Sequence, residues 1–109
     1  MGIPKVIVHP GAMSLNTKLE KEPLRHALIQ SLGQINSEGV EILLENLPPY
    51  PWYFGGQWKG NYFMDAHEIR SFCEDTGSHI CFDLSHAALY CNAKEKDPVS
   101  YTHLTLPTK

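Results

Sequence analysis

The sequence predicts an α/β fold with a parallel sheet, and three observations support this prediction. Three short, almost continuously apolar runs begin at Val6, Ile42 and Ile80, at near-equal spacing along the chain. Continuous apolar runs of this kind are typical of strands buried on both faces of a parallel sheet. The stretches between them have helical apolar spacing, so the chain alternates strand and helix three times. This alternation predicts right-handed crossover units.

Each predicted strand stops at a polar residue. Residues 6–8 precede His9, residues 42–44 precede Glu45, and residues 80–82 precede Asp83. The carboxyl ends of parallel strands lie at one edge of the sheet, and in α/β architectures that edge carries the chemistry. The sequence therefore predicts that these three side chains share one edge.

The helices have recognisable start and stop signals. The first is predicted over residues 23–37, with Pro23 in its opening turn. The second begins after Asp65, which forms a capping-box pattern with Glu68, and ends at Gly77, where a left-handed cap belongs. The third is predicted to begin near His86.

Residues 46–64 interrupt this pattern with a connection far longer than the usual strand-to-helix loop. Long connections are often functional lids, so we expect this one at the mouth of the site. Its rings either stack against a sugar or pack the loop onto the rest of the domain, and the sequence leaves both open. Trp52 and Trp58 are the candidate substrate contacts. Seven of the eleven aromatic residues lie here: Tyr50, Trp52, Tyr53, Phe54, Trp58, Tyr62 and Phe63.

Composition limits the possible partners. The formal charge is -3 and no basic cluster is present, so we expect no nucleic-acid partner. No apolar run approaches the roughly 18 residues of a membrane span, and no signal peptide is visible, so we expect no membrane partner and a cytoplasmic location. The cysteines are odd in number and lack a CxxC pair, which predicts reduced thiols rather than disulfides or a zinc site.

The last residues form a separate case. Residues 99–108 match, residue for residue, one reading frame of the mosaic-end adaptor used in transposase-made sequencing libraries, and Pro98 is compatible with the preceding adaptor bases. We therefore expect the natural domain to occupy residues 1–97 and residues 98–109 to be a translated adaptor. His103 is accordingly not a candidate ligand.

The strand ends together carry a family resemblance. His9-Pro10-Gly11, Glu45-Asn46 and the Asp83-x-x-His86-Ala87 motif occur in order at barrel-like spacing. Residues 1 to about 97 resemble the xylose isomerase-like TIM barrel superfamily, which includes sugar phosphate isomerases and epimerases and enzymes of the endonuclease IV type. The resemblance implies a partial (β/α)8 barrel of about three βα units, corresponding to strands four to six, and a chain truncated at both ends.

The candidate site residues include two carboxylates and two imidazoles, a donor set suited to a divalent ion such as Mn, Mg, Co or Zn. The resemblance implies that Glu45, Asp83 and His9 bind the metal and that Glu45 and His86 are catalytic. It also makes His9, Asn46 and His86 substrate contacts. The structural alternatives are a satisfied strand-end histidine for His9, a salt bridge or cap for Glu45, and a turn or helix cap for Asp83. The alternatives for His86 and Asn46 are a polar helix start and loop stabilisation.

The implied activity is that of a metal-dependent sugar or sugar phosphate isomerase or epimerase working by proton transfer through an enediolate. The alternatives are a phosphodiesterase of the endonuclease IV type and a non-catalytic carbohydrate-binding module. The expected partner is a small sugar or sugar phosphate, and association into homo-oligomers is possible on exposed sheet edges. The resemblance also implies further ligands on later strands, so we expect the 109-residue chain to bind metal weakly and to be inactive.

Overall fold

The computed structural model describes residues 2–15, 18–50 and 58–105, and it confirms the α/β class with a parallel sheet. Strands and helices alternate broadly as predicted, with an additional two-stranded antiparallel sheet. The strands are β1 (Lys5–Val8), β2 (Met13–Ser14), β3 (Glu41–Glu45), β4 (Lys59–Gly60) and β5 (His79–Cys81). The helices are α1 (Lys21–Gln34), α2 (Ala66–Thr76), α3 (Leu84–Lys94) and α4 (Pro98–Thr105).

The main sheet has the order β1-β3-β5, and both pairings are parallel. Val8 is in register with Leu44, and Glu45 is in register with Cys81. The last strand stops one residue before the predicted end, because its ladder with β3 finishes at Cys81. The carboxyl ends of the three strands therefore lie at one edge, as predicted. Their numbering within a complete barrel stays a prediction.

A small two-stranded antiparallel sheet, which the sequence did not predict, fixes part of the long connection after β3. Met13 of β2 pairs with Gly60 of β4. The Gly60 amide donates to the Pro49 carbonyl at 2.8 Å. A Cβ on Gly60 would lie 2.7 Å from the Met64 Sδ and 2.8 Å from the Pro48 carbonyl oxygen, so the close approach requires glycine here.

Helix α2 follows its sequence signals closely. The Asp65 side chain accepts from the His67 amide, and Glu68 completes the capping box. Gly77 ends the helix with a φ of 72°. Such caps pair amide and carbonyl groups that a helix terminus would otherwise leave unsatisfied, which is why these boundaries can be read locally.

The other two predicted helices start earlier than expected. Helix α1 begins at Lys21 and ends at Gln34, because the backbone becomes extended at Ile35. Helix α3 begins at Leu84, since Asp83 rather than a later residue is its cap. None of the helices in the described ranges has the length and apolar character needed to cross a lipid bilayer. The three cysteines are free thiols, as predicted.

The core brings together buried residues of β3, α2, α3 and part of the long connection. Phe63 and Phe72 are fully buried, and their ring centroids lie 5.7 Å apart in an edge-to-face arrangement. Tyr62 is also buried and meets Phe72 edge to face. These two aromatic residues of the connection therefore pack the domain, which was one of the two alternatives that the sequence left open.

Asp65 links the start of α2 to the end of α3. Its carboxylate accepts from the Tyr90 hydroxyl at 3.0 Å and from the Lys96 ammonium at 2.8 Å. Burial raises the pKa of Asp65, but the hydrogen bonds from Lys96 and Tyr90 outweigh it and hold the pKa below its ordinary value. Burial and the bond to Asp65 both raise the pKa of Tyr90.

The predicted adaptor segment contributes helix α4. Tyr101 is buried, and its hydroxyl donates to the Met64 carbonyl at 2.6 Å. The Tyr101 ring packs against Phe82 and Tyr90 with centroids 6.0 and 6.1 Å away. The adaptor origin of residues 98–109 stays a prediction.

Candidate functional site

Three candidate residues converge at the carboxyl edge of the sheet. Glu45 ends β3, Asp83 caps α3, and His86 lies in the first turn of that helix. One ligand atom from each lies within 4.8 Å of the other two. Within the described ranges, this is the only group of three or more His, Cys, Asp or Glu residues arranged closely enough to hold a metal ion.

Glu45 lies at the centre of this group. Its Oε2 is 3.2 Å from the His86 Nδ1 and 3.4 Å from the His9 Nε2. The Glu45 side chain is 13% exposed, whereas that of His9 is 45% exposed. His9 is not one of the three clustered residues and reaches the site through its contact with Glu45. The carboxylate is therefore sheltered between two imidazoles, and the His9 side is the more open one.

The two carboxylate oxygens of Asp83 have different roles, since one caps helix α3 and the other faces the cluster. Oδ1 accepts from the His86 amide at 2.9 Å and from the Ser85 hydroxyl at 2.7 Å, which caps α3. Oδ2 faces the His86 Nδ1 at 3.6 Å. The hydrogen bonds from Ser85 and the His86 amide hold the pKa of Asp83 below its ordinary value, so the carboxylate is ionised at neutral pH. The helix-cap alternative is thus present, and one oxygen still faces the cluster.

Asn46 holds the two strand ends together. Its side chain is fully buried, its Oδ1 accepts from the Asp83 amide at 2.6 Å, and its Nδ2 donates to the Asp83 carbonyl at 3.0 Å. We predicted either a substrate contact or loop stabilisation for this residue. Enclosed in this way, the amide orients Asp83, and a substrate contact for Asn46 stays a prediction.

The main chain of Asn46 also fixes the ring of His86. The His86 Nδ1 lies 2.9 Å from the Asn46 carbonyl oxygen. Because a carbonyl only accepts, this contact assigns a proton to Nδ1 and leaves the lone pair of a neutral ring on Nε2. Oriented donors of this kind are typical of histidines whose other nitrogen binds a metal or a substrate.

The two candidate tryptophans belong to the long connection after β3. Trp58 is half-buried immediately before β4. Trp52 lies outside the described residues. Their roles in substrate binding stay predictions. Tyr50, from the same connection, is 58% exposed.

The family model described as xylose isomerase-like TIM barrel matches residues 1–104. No curated protein and no solved structure gives a significant match. The match covers nearly the whole chain and includes every residue of the cluster.

Proposed function

The chain belongs to the xylose isomerase-like TIM barrel family, and from this premise we propose that its strand-end cluster is the divalent-metal site of a sugar or sugar phosphate isomerase or epimerase. The observation that carries the proposal is the convergence of Glu45, Asp83 and His86 within 4.8 Å. The family covers isomerases, epimerases and endonuclease IV-like enzymes, so the choice among these activities depends on the site itself.

The donor set fits a divalent ion. Two carboxylates and one imidazole are ligands that Mn, Mg, Co and Zn accept in differing proportions. Glu45 and Asp83 would hold the ion through carboxylate oxygens, and His86 would use Nε2, because its Nδ1 proton is committed to the Asn46 carbonyl. His9 lies next to Glu45 and is the nearest additional imidazole.

When bound, the ion would polarise the carbonyl and neighbouring hydroxyl of a sugar, which acidifies the adjacent C–H bond. The chain's own residues supply the remaining functions. Glu45 is the candidate acid or base, because its Oε2 is sheltered and lies within 3.4 Å of two imidazole nitrogens. His86 holds the Glu45 carboxylate in place through its Nδ1 contact. Asn46 keeps Asp83 and His86 in register with Glu45 through its side chain and its carbonyl.

Metal titration of the purified chain tests the proposal without requiring turnover. Mn²⁺ binding, followed by the loss of its free electron paramagnetic resonance signal, should weaken at least tenfold in Glu45→Gln and in Asp83→Asn. Each change replaces a carboxylate ligand with an amide of nearly the same shape. Because Asp83 also caps α3, the thermal midpoint of each variant is measured alongside the titration.

Glu41→Gln is the matched control. Glu41 begins the same strand and is in register with Lys5, so its removal changes the net charge equally at the opposite edge of the sheet. Mn²⁺ affinity in this variant should match that of the unaltered chain. The proposal is wrong if all three variants bind Mn²⁺ equally well. Glycan binding that survives both chelation and Asp83→Asn would instead favour a carbohydrate-binding module.

A further inference from the structure

A second site lies away from the metal cluster, and none of the cluster residues contributes to it. A cavity of about 450 Å³ opens beside the β2–β4 sheet, between the loop that precedes α1 and the end of α3. Five lysines line it and define what we call the lysine pocket: Lys18, Lys21, Lys59, Lys94 and Lys96. We propose that the lysine pocket binds the phosphate group of a phosphorylated small molecule.

The concentration of charge is the first argument. The chain has seven lysines and a formal charge of -3, yet five of those lysines surround this one cavity. Among the described residues that line the cavity, Glu68 is the one acidic residue. Ammonium groups around one cavity repel one another, and an anionic ligand between them relieves this repulsion.

The lysines are not equally available. Lys21 is paired with Glu68, and Lys96 is paired with Asp65 at 2.8 Å. Within the described ranges, Lys18, Lys59 and Lys94 form no ion pair with a carboxylate. Three ammonium groups therefore remain to contact a ligand, enough to match the charge of a phosphate monoester. Lysine binds phosphate as a point charge with three donors.

The buried side-chain amide of Asn61 fixes the backbone next to Lys18 and Lys59. Asn61 donates to the Ala12 carbonyl at 3.0 Å, to the Ser14 hydroxyl at 2.9 Å and to the Lys59 carbonyl at 3.3 Å. Its Oδ1 accepts from the Leu19 amide at 3.0 Å. The backbones beside Lys18 and Lys59 are thus held by one side chain that is only 6% exposed. A pre-organised wall reduces the entropy cost of binding.

The shape of the pocket favours a small ligand over a polymer. A volume of about 450 Å³ lies within the usual range of small-molecule sites. Nucleic-acid binding faces instead carry extended basic surfaces that follow a phosphate backbone. Tyr50 and Tyr90 also line the cavity, so flat apolar surface lies beside the charges. This combination suits a phosphate attached to a sugar or another compact group.

Calorimetric titration with inorganic phosphate and with glucose 6-phosphate tests the proposal. Both should bind, and Lys59→Gln and Lys94→Gln should each weaken binding by about tenfold, the usual value of a charged hydrogen bond. Lys5→Gln is the matched control, because Lys5 lies on β1 and outside the pocket. All three changes are at exposed positions, and equal thermal midpoints establish that the variants are folded.

The same titration in Glu45→Gln distinguishes two possible ligands of the lysine pocket. If glucose 6-phosphate binding also weakens in Glu45→Gln, the lysine pocket holds the phosphate of the metal-site substrate. If glucose 6-phosphate binding is unchanged in Glu45→Gln, the lysine pocket serves a separate phosphorylated ligand. Both outcomes support the proposal. It is overturned if Lys5→Gln weakens binding as much as Lys59→Gln, if neither phosphate compound binds, or if a single-stranded oligonucleotide binds more tightly than glucose 6-phosphate. The Mn²⁺ titration is independent of all these outcomes.

Discussion

Replacing Asn46 with alanine should destabilise the domain and disorganise the metal site together. The substitution removes the partners of two main-chain groups of Asp83, the amide and the carbonyl. A buried polar group left unsatisfied costs about 1–3 kcal/mol. Asp83 is only partly enclosed, so we take the lower half of that range for each group. The expected loss is about 3 kcal/mol of unfolding free energy.

Urea unfolding followed by circular dichroism measures this loss. With a urea slope of about 1–2 kcal/mol per molar, typical of a small domain, the midpoint should fall by roughly 1.5–3 M. Asn36→Ala is the matched control, because the Asn36 side chain is exposed and bonds only the nearby Glu38 amide. This control should change the unfolding free energy by less than about 0.5 kcal/mol.

Asn46→Asp adds a pH readout to the stability measurement. A carboxylate at this position still accepts from the Asp83 amide but repels the Asp83 carbonyl, whereas a protonated carboxyl donates to that carbonyl. The stability deficit of Asn46→Asp should therefore shrink as the pH falls. The reasoning fails if Asn46→Ala destabilises no more than Asn36→Ala, or if the deficit of Asn46→Asp is independent of pH.

Three further predictions concern the scaffold. The pKa of Asp65 is lower in the folded chain than in the unfolded chain, so its contribution to the free energy of unfolding is complete above the unfolded value of 3.8. That contribution is lost as the pH falls through the folded pKa. In acid unfolding curves, the difference in unfolding free energy between the unaltered chain and Asp65→Asn should therefore become smaller as the pH falls. Gly60→Ala should cost about 2 kcal/mol in urea unfolding, because its Cβ meets a main-chain carbonyl, whereas Gly33→Ala, with open space in a helix, should be neutral or stabilising. Ending the chain after Asp97 removes buried Tyr101 and should lower the thermal midpoint by several degrees; an unchanged midpoint would show that residues 98–109 add no stability to the domain.

Features with local causes could be predicted from the sequence. The capping box at Asp65 and the left-handed cap at Gly77 were read correctly, because each depends on residues within one or two turns. The common edge of Glu45 and Asp83 followed from the parallel sheet alone. The α/β class was also confirmed, because the near-equal spacing of the three apolar runs, with helical patterns between them, predicts it.

Features with long-range causes could not be predicted in the same way. The β2–β4 pairing joins two-residue strands whose sequence carries no alternation, and its buried Asn61 bonds residues more than forty positions away. The lysine pocket likewise gathers charges that are scattered along the chain. The burial of Phe63 reflects its packing on Phe72, which no local pattern distinguishes from a sugar-facing ring.

The bond between Asn46 and Asp83 has a consequence for the order of events during folding. It spans 37 residues of chain, and the contact of His86 with the Asn46 carbonyl spans 40. Such contacts form only after a large loop has closed, which places them late on the folding path. An ion that binds this cluster would therefore bind a chain that is almost completely folded. Its effect would therefore fall on how slowly the chain opens rather than on how quickly it folds.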